Sequence, residues 1–131
     1  MSRSVQILVA IAVVLAAGVL AIRHLPMAGY DSDVTQVGQG RPAAVLVFES
    51  FSPPSIEAMA LFDQVRRDYA DRLDFFVADT GSPRGREFIA RHEVHVGQVL
   101  TFRADGTRVR AASLDGGEQA LRERLRHDLG L

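Results

Sequence analysis

Ser52-Pro53-Pro54-Ser55 places two hydroxyl side chains three residues apart, where an apolar run, Ala43 to Phe48, gives way to helical spacing. With cysteine at both ends, a strand-turn-helix tetrapeptide of this kind is a dithiol redox site. A helix N-terminus lowers the pKa of the first thiol, and the second thiol resolves the mixed disulfide. A serine hydroxyl stays protonated in that position and forms no disulfide. The chain contains no cysteine anywhere, which removes disulfides, thiolate nucleophiles and sulfur-ligated metals together. Two readings of the tetrapeptide remain. In the first it is structural: Ser52 is a favoured helix N-cap, and Pro53 suits the first helical position, where a missing N–H costs nothing. In the second, Phe51, Ser52, Pro53 and Pro54 join the loop near Val99 in an exposed surface that binds a partner. Serine as a covalent nucleophile has little support, since no Ser-His-Asp arrangement can be assigned.

Other chemistry-bearing residues offer less. His92-Glu93-Val94-His95 approaches the zinc motif H-E-x-x-H but is one residue short, so the two imidazoles miss the i,i+4 spacing that would put them on one helix face. No metal or other cofactor is expected. Arg103, Arg108 and Arg110 cluster in sequence, but acidic residues are interspersed and no aromatic platform accompanies them. They read as a solvated face, with no nucleic-acid partner. Asp79, Arg84 and Arg86 read as loop solvation, and Phe75-Phe76 as core.

The elements that hold these residues follow from patterning. Ala43 to Phe48 is a continuous apolar, partly β-branched run, the mark of a strand buried on both faces. Ile56, Met59, Phe62, Val65 and Tyr69 then recur every three or four residues, which predicts an amphipathic helix. Leu73 to Ala78 reads as a second buried strand, Arg86 to His92 as a short helix, and Val99 to Phe102 as a third strand. Asp105-Gly106 is a hairpin signal, so Thr107 to Ala112 should pair antiparallel with that third strand. A last helix is expected from about Gly117 to Leu129, with Leu121, Leu125 and Leu129 on one face. The order β-α-β-α-β-β-α, with helical crossovers, predicts parallel pairing of the first three strands.

Val5 to Ile22 is an uncharged run of eighteen residues in which Gln6 is the one polar side chain. A helix of that length rises roughly 27 Å, just under a hydrocarbon core of about 30 Å. The leading expectation is a single-pass membrane anchor over residues 1–22, with a cleaved signal ending near Val19-Leu20-Ala21 and a buried core helix as alternatives. Arg3 and Arg23 flank the run, and a short N-terminal tail favours placing the rest of the chain on the periplasmic or extracytoplasmic side. Residues 23–41, punctuated by Pro26, Gly29, Gly38 and Gly40, read as a linker with room for a short edge strand between Asp31 and Val37, and 42–131 as one α/β domain. The formal net charge of −1, with all fifteen basic residues arginine, points to no electrostatic partner.

Over roughly residues 42–131 the chain resembles the thioredoxin family. The resemblance rests on Val45-Leu46-Val47-Phe48-Glu49-Ser50-Phe51-Ser52-Pro53-Pro54-Ser55, followed by Met59, Leu61-Phe62-Asp63, Val65, Tyr69 and Leu73. The strand ending at Asp79, Ser82-Pro83, and the hairpin Phe102-Arg103-Ala104-Asp105-Gly106 extend it. It implies a thioredoxin-like fold, with Ser52 and Ser55 standing at the two redox sulfur positions. Two further family features are missing. The buried carboxylate implied for the preceding strand falls at Leu46 or Val47, and the cis-proline implied for the facing loop falls at or near Val99. The expected function is therefore a membrane-tethered, redox-inactive module that binds protein as an adaptor or chaperone-like holding factor. A thiol-disulfide oxidoreductase whose cysteines have been replaced and a structural subunit of a membrane complex are the alternatives.

Overall fold

The computed structural model describes residues 2–23 and 30–131, with side chains over 2–19 and 30–131. Two compact units emerge, Met1–Tyr30 and Asp31–Leu131. The first holds helix α1 (Arg3–Arg23). Its large apolar side chains from Val5 to Val19 are exposed. The expected membrane span is not found: among the described residues no helix is long and apolar enough to cross a membrane. Side chains in α1 are described as far as Val19. The last three residues of the apolar run, and residues 24–29 of the expected linker, lie outside that description.

The second unit is built on strand β1 (Ala43–Phe48), all six of whose residues are buried. Helix α2 (Pro53–Tyr69) follows, then β2 (Asp74–Asp79), α3 (Pro83–His92), β3 (Gln98–Phe102), β4 (Arg108–Ser113) and α4 (Gly117–Leu129). The strands form one mixed sheet in the order β2-β1-β3-β4. Its core takes Val45, Val47, Phe76, Phe88, Leu100 and Phe102, while Phe62, Val65, Leu121 and Leu125 of α2 and α4 are also fully buried. Phe75, as expected, is buried, edge-on to Phe62 with ring centroids 5.0 Å apart.

Two expectations are corrected. First, β3 runs antiparallel to β1, with Leu46 opposite Val99 and Ala43 opposite Phe102; of the first three strands only β1 and β2 pair parallel. The helical crossover does not deliver the chain to the parallel end, because the segment after α3 reverses it. Glu93 closes α3 in the left-handed region (φ 53°), and Gly97 enters β3 with φ 87°, a conformation natural only to glycine. Second, the compact unit starts at Asp31, not near Pro42. Asp31 bridges to Phe76 in parallel, a 3-10 turn at Val34–Gln36 is capped by the Asp33 carboxylate, and Val34 is buried in the core. Gly38 and Gly40 do not serve as linker punctuation. A Cβ on Gly38 would lie 2.9 Å from the Gly106 backbone, and Gly40 N–H donates to the Ala104 carbonyl at 3.1 Å, so this segment lies directly on the β3–β4 hairpin.

Asp128, in the last turn of α4, has a side chain only 1% exposed. It accepts from the Thr101 hydroxyl at 3.1 Å and from the Arg110 guanidinium at 3.0 Å. The pair ties α4 to β3 and β4, and it uses one of the arginines read as solvated. Asp128→Ala strips the partner from the buried Thr101 hydroxyl and should cost roughly 2–3 kcal/mol, short of a fully buried ion pair because Arg110 is half exposed. Arg110→Ala leaves the buried Asp128 carboxylate without its guanidinium and should cost roughly 1–3 kcal/mol. Chemical denaturation of the two variants checks both losses; no loss in either would mean that the convergence on Asp128 does not hold α4.

Candidate functional site

Because β1 is buried and hydrogen-bonded on both sides, its C-terminal end fixes the turn that follows. Ser52 N–H donates to the Glu49 carbonyl at 3.3 Å, closing a tight turn with Phe51 inside it. Phe51 adopts φ 66°, and its side chain is 96% exposed. α2 then begins with Pro53 and Pro54 as its first two residues. Ser52 stands at the N-cap with extended backbone, but its hydroxyl makes no capping hydrogen bond, contrary to the capping role expected of it. The hydroxyl with the structural task is that of Ser55, which is fully buried and accepts the Glu49 N–H at 3.1 Å. Serine at 55 thus stitches the start of the helix to the end of the strand.

The two prolines shape the electrostatics of this helix end. An α-helix normally leaves its first N–H groups unsatisfied, and these draw anions. Pro53 and Pro54 have no N–H, and Ser52 N–H is already used. Ser55, the next residue, is itself fully buried.

Antiparallel β3 brings the segment before it, residues 95–97, to this same end of the sheet. Gly97 N–H donates to the Val47 carbonyl at 2.9 Å, which fastens the loop one residue before the end of β1. The described residues contain no cis peptide bond. Val99 is not part of any surface: it is fully buried and paired with Leu46 and Ala112. The loop residues that face α2 are Val96 and Gly97, two to three positions earlier than expected. Together with Pro54, Glu57, Leu61 and the β4–α4 connection they border a shallow groove of about 250 Å³. The structure therefore brings Pro54 to the groove and exposes Phe51, Pro53 and Pro54, while Val99 is withdrawn. Leu46 and Val47 are both fully buried apolar residues, so the strand carries no carboxylate beneath the turn.

Within Asp31–Leu131 the exposed large apolar side chains are Phe51 and Ile56, both at the start of α2. Ile56, 57% exposed, was read as part of the helix's buried stripe. The signal that distinguishes it is the proline pair, which starts α2 at residue 53 and turns position 56 outward while Ser55 and Ala58 point in. The histidines diverge. His92 packs against Phe88 and Phe102, and burial, with Arg108 and Arg91 nearby, holds its pKa below the usual imidazole value. His95 is exposed in the loop beyond. Among the described residues no group of three or more His, Asp or Glu side chains is arranged to hold a metal.

No family model and no curated protein matches the chain. Solved structures do. An uncharacterized thioredoxin-like protein from Clostridium perfringens superposes with a TM-score of 0.65 at 9% identity, covering 76% of this chain and 79% of that one. Trxlp from Edwardsiella tarda gives 0.61 at 18% identity over 74% and 94%, and the DsbH oxidoreductase 0.61 at 14% over 79% and 85%. The fold is thioredoxin-like. At these identities the likeness carries the fold alone, and this chain wears it without a cysteine.

A bulky residue in the left-handed region costs about 1–2 kcal/mol, and at Phe51 no burial offsets that cost. Phe51→Gly removes the strain at the expense of roughly 0.5–1 kcal/mol of chain entropy. The variant should be as stable as the parent or more stable by up to about 1 kcal/mol. A thermal melt showing clear destabilisation would mean that the ring supports the fold.

Proposed function

We propose that this chain is a redox-inactive, thioredoxin-like binding module that acts as an adaptor or holding factor for a protein partner. Its N-terminal apolar run keeps it at a membrane, with the α/β unit on the extracytoplasmic side. The partner docks on the turn and helix start formed by Phe51, Ser52, Pro53 and Pro54, with Ile56 beside them. The observation that carries this reading is the concentration of exposed apolar surface at one place. Strained, unburied residues persist where function holds them, and exposed aromatic and aliphatic side chains are the usual anchors of protein interfaces. The membrane role rests on the eighteen-residue apolar sequence and on the exposed apolar side chains of α1.

A photocrosslinking residue at position 51 of the full chain, in intact membranes, tests the docking face. A discrete protein adduct is expected from position 51 and none from position 67, an exposed site further along α2. No adduct from 51, or the same adducts from both, would refute a docking role for this turn. Carbonate washing of the same membranes should leave the chain in the pellet; release to the supernatant would remove the anchor.

The oxidoreductase alternative predicts that sulfur alone is missing. The double variant S52C/S55C should stay close to the cysteine-free parent in dithiol-driven disulfide reduction. Leu46 offers no buried carboxylate, and the Val96-Gly97 loop differs in shape from the cis-proline loop implied by the resemblance. Turnover comparable to an ordinary thioredoxin would overturn this and restore the enzyme reading.

A further inference from the structure

The groove beside α2 has a charge of one sign. Its apolar surface comes from Pro54, Leu61 and Val96, and its two ionisable side chains are Glu57, on α2, and Asp115, on the β4–α4 connection. Both are exposed. Elsewhere on this unit the carboxylates are widely committed: Asp74 to Arg41, Glu87 to Arg91, Glu118 and Asp68 to Arg122, Asp128 to Arg110. Among the described residues neither Glu57 nor Asp115 has an ion pair or a side-chain hydrogen bond, and neither does Glu49 in the adjoining turn. Arg124 acts electrostatically on Asp115 without forming an ion pair with it. Its guanidinium is already held by the carbonyls of Ala112 and Ser113 at 3.1 and 2.8 Å.

We infer that this groove selects a partner segment carrying a cationic side chain, Arg or Lys, beside an apolar one. The inference rests on the docking reading and specifies the partner's chemistry. The apolar residue lies against Pro54, Leu61 and Val96, and the cation sits between Glu57 and Asp115. The positive end of the α2 dipole works against a cation at Pro53–Pro54, which places the charge further along the helix, where Glu57 stands. An anionic segment meets two unpaired carboxylates, and the helix start offers it few N–H donors because two are prolines. The groove's volume, about 250 Å³, lies below the roughly 300–1,000 Å³ usual for small-molecule sites. It is shallow enough to admit side chains from a polypeptide.

The test uses the full chain in detergent micelles and three fluorescein-labelled, end-blocked nonapeptides with identical flanking leucines and alanines and a central Arg, Gln or Glu. Fluorescence anisotropy should show the Arg peptide binding roughly tenfold more tightly than the Glu peptide, with the gap shrinking as salt rises. In the double variant E57Q/D115N the three peptides should converge. Both residues are exposed and hold no structural partner, so folding should be unaffected, and circular dichroism checks that it is. Phe51→Ser should weaken all three peptides alike. Peptides that bind equally well to the parent, or a preference that survives E57Q/D115N, would overturn the charge selectivity while leaving a charge-blind docking face intact. No binding by any peptide at millimolar concentration would also overturn it, and the crosslinking from position 51 then judges the docking face independently.

Discussion

The rest of the structure depends on the burial of β1. A strand covered on both faces and paired on both edges has no freedom of register, since a slip by one residue would exchange every side chain between two filled layers. Val45 and Val47 are packed into the core, and Ala44 and Leu46 are equally buried. The end of β1 is therefore a fixed point, and three things hang from it. The Glu49–Ser52 turn leaves from it, Ser55 reaches back to Glu49 N–H from the first turn of α2, and Gly97 N–H closes on the Val47 carbonyl. A helix start and a loop some forty residues further along the chain are set side by side by one strand that cannot move.

The antiparallel direction of β3 completes that arrangement. Had β3 run parallel to β1, the segment preceding it would lie at the far end of the sheet, and the groove beside Pro54 would have one wall. The reversal depends on two residues at positive φ, Glu93 and Gly97. Only the second was recognisable as such from residue type. A helix C-terminus closed by a left-handed glutamate has no sequence signature, because the usual signal is glycine or asparagine.

Most elements were legible because burial and periodicity agree. β1 and α4 lie where patterning placed them, and α2, β2 and β4 within a few residues. What patterning missed is long-range. The segment after Asp31 reads as linker, with at most a short edge strand, because glycines punctuate it and it lacks sustained periodicity. In the fold, Gly38 permits backbone contact with Gly106, and Val34 fills a core position. The register of the facing loop was misjudged in the same way. Val99 was placed near the surface by alignment to a proline that is absent, whereas the period-two pattern of a central strand puts it inside. Asp128 looked like an ordinary polar residue of the last turn, and nothing local announces that Thr101 and Arg110 converge on it. Ser55 could be recognised as an important position but not as a buried acceptor.

The turn at Phe51 lacks what a dithiol site on this fold would need. A dithiol site needs a helix end that stabilises a thiolate, a nearby group to move protons, and a loop that presents a disulfide to it. Here the helix starts with two residues that lack N–H groups, the strand beneath the turn is apolar, and the loop is joined to the sheet through a glycine. None of these features is required by the fold, since β1 would anchor a different turn equally well. What the site does keep is a strained, fully displayed aromatic ring, an outward isoleucine, and a groove with unpaired carboxylates. Each of these is neutral or unfavourable for the isolated folded unit, since strain has a cost, exposed apolar surface invites association, and unpaired acids add nothing to packing. On the proposed docking reading, residues that do nothing for stability yet collect at one end of a rigid sheet are explained by what they meet outside the chain. On that reading the physical logic of the site is complementarity to another surface, held ready by a strand that the rest of the domain cannot displace.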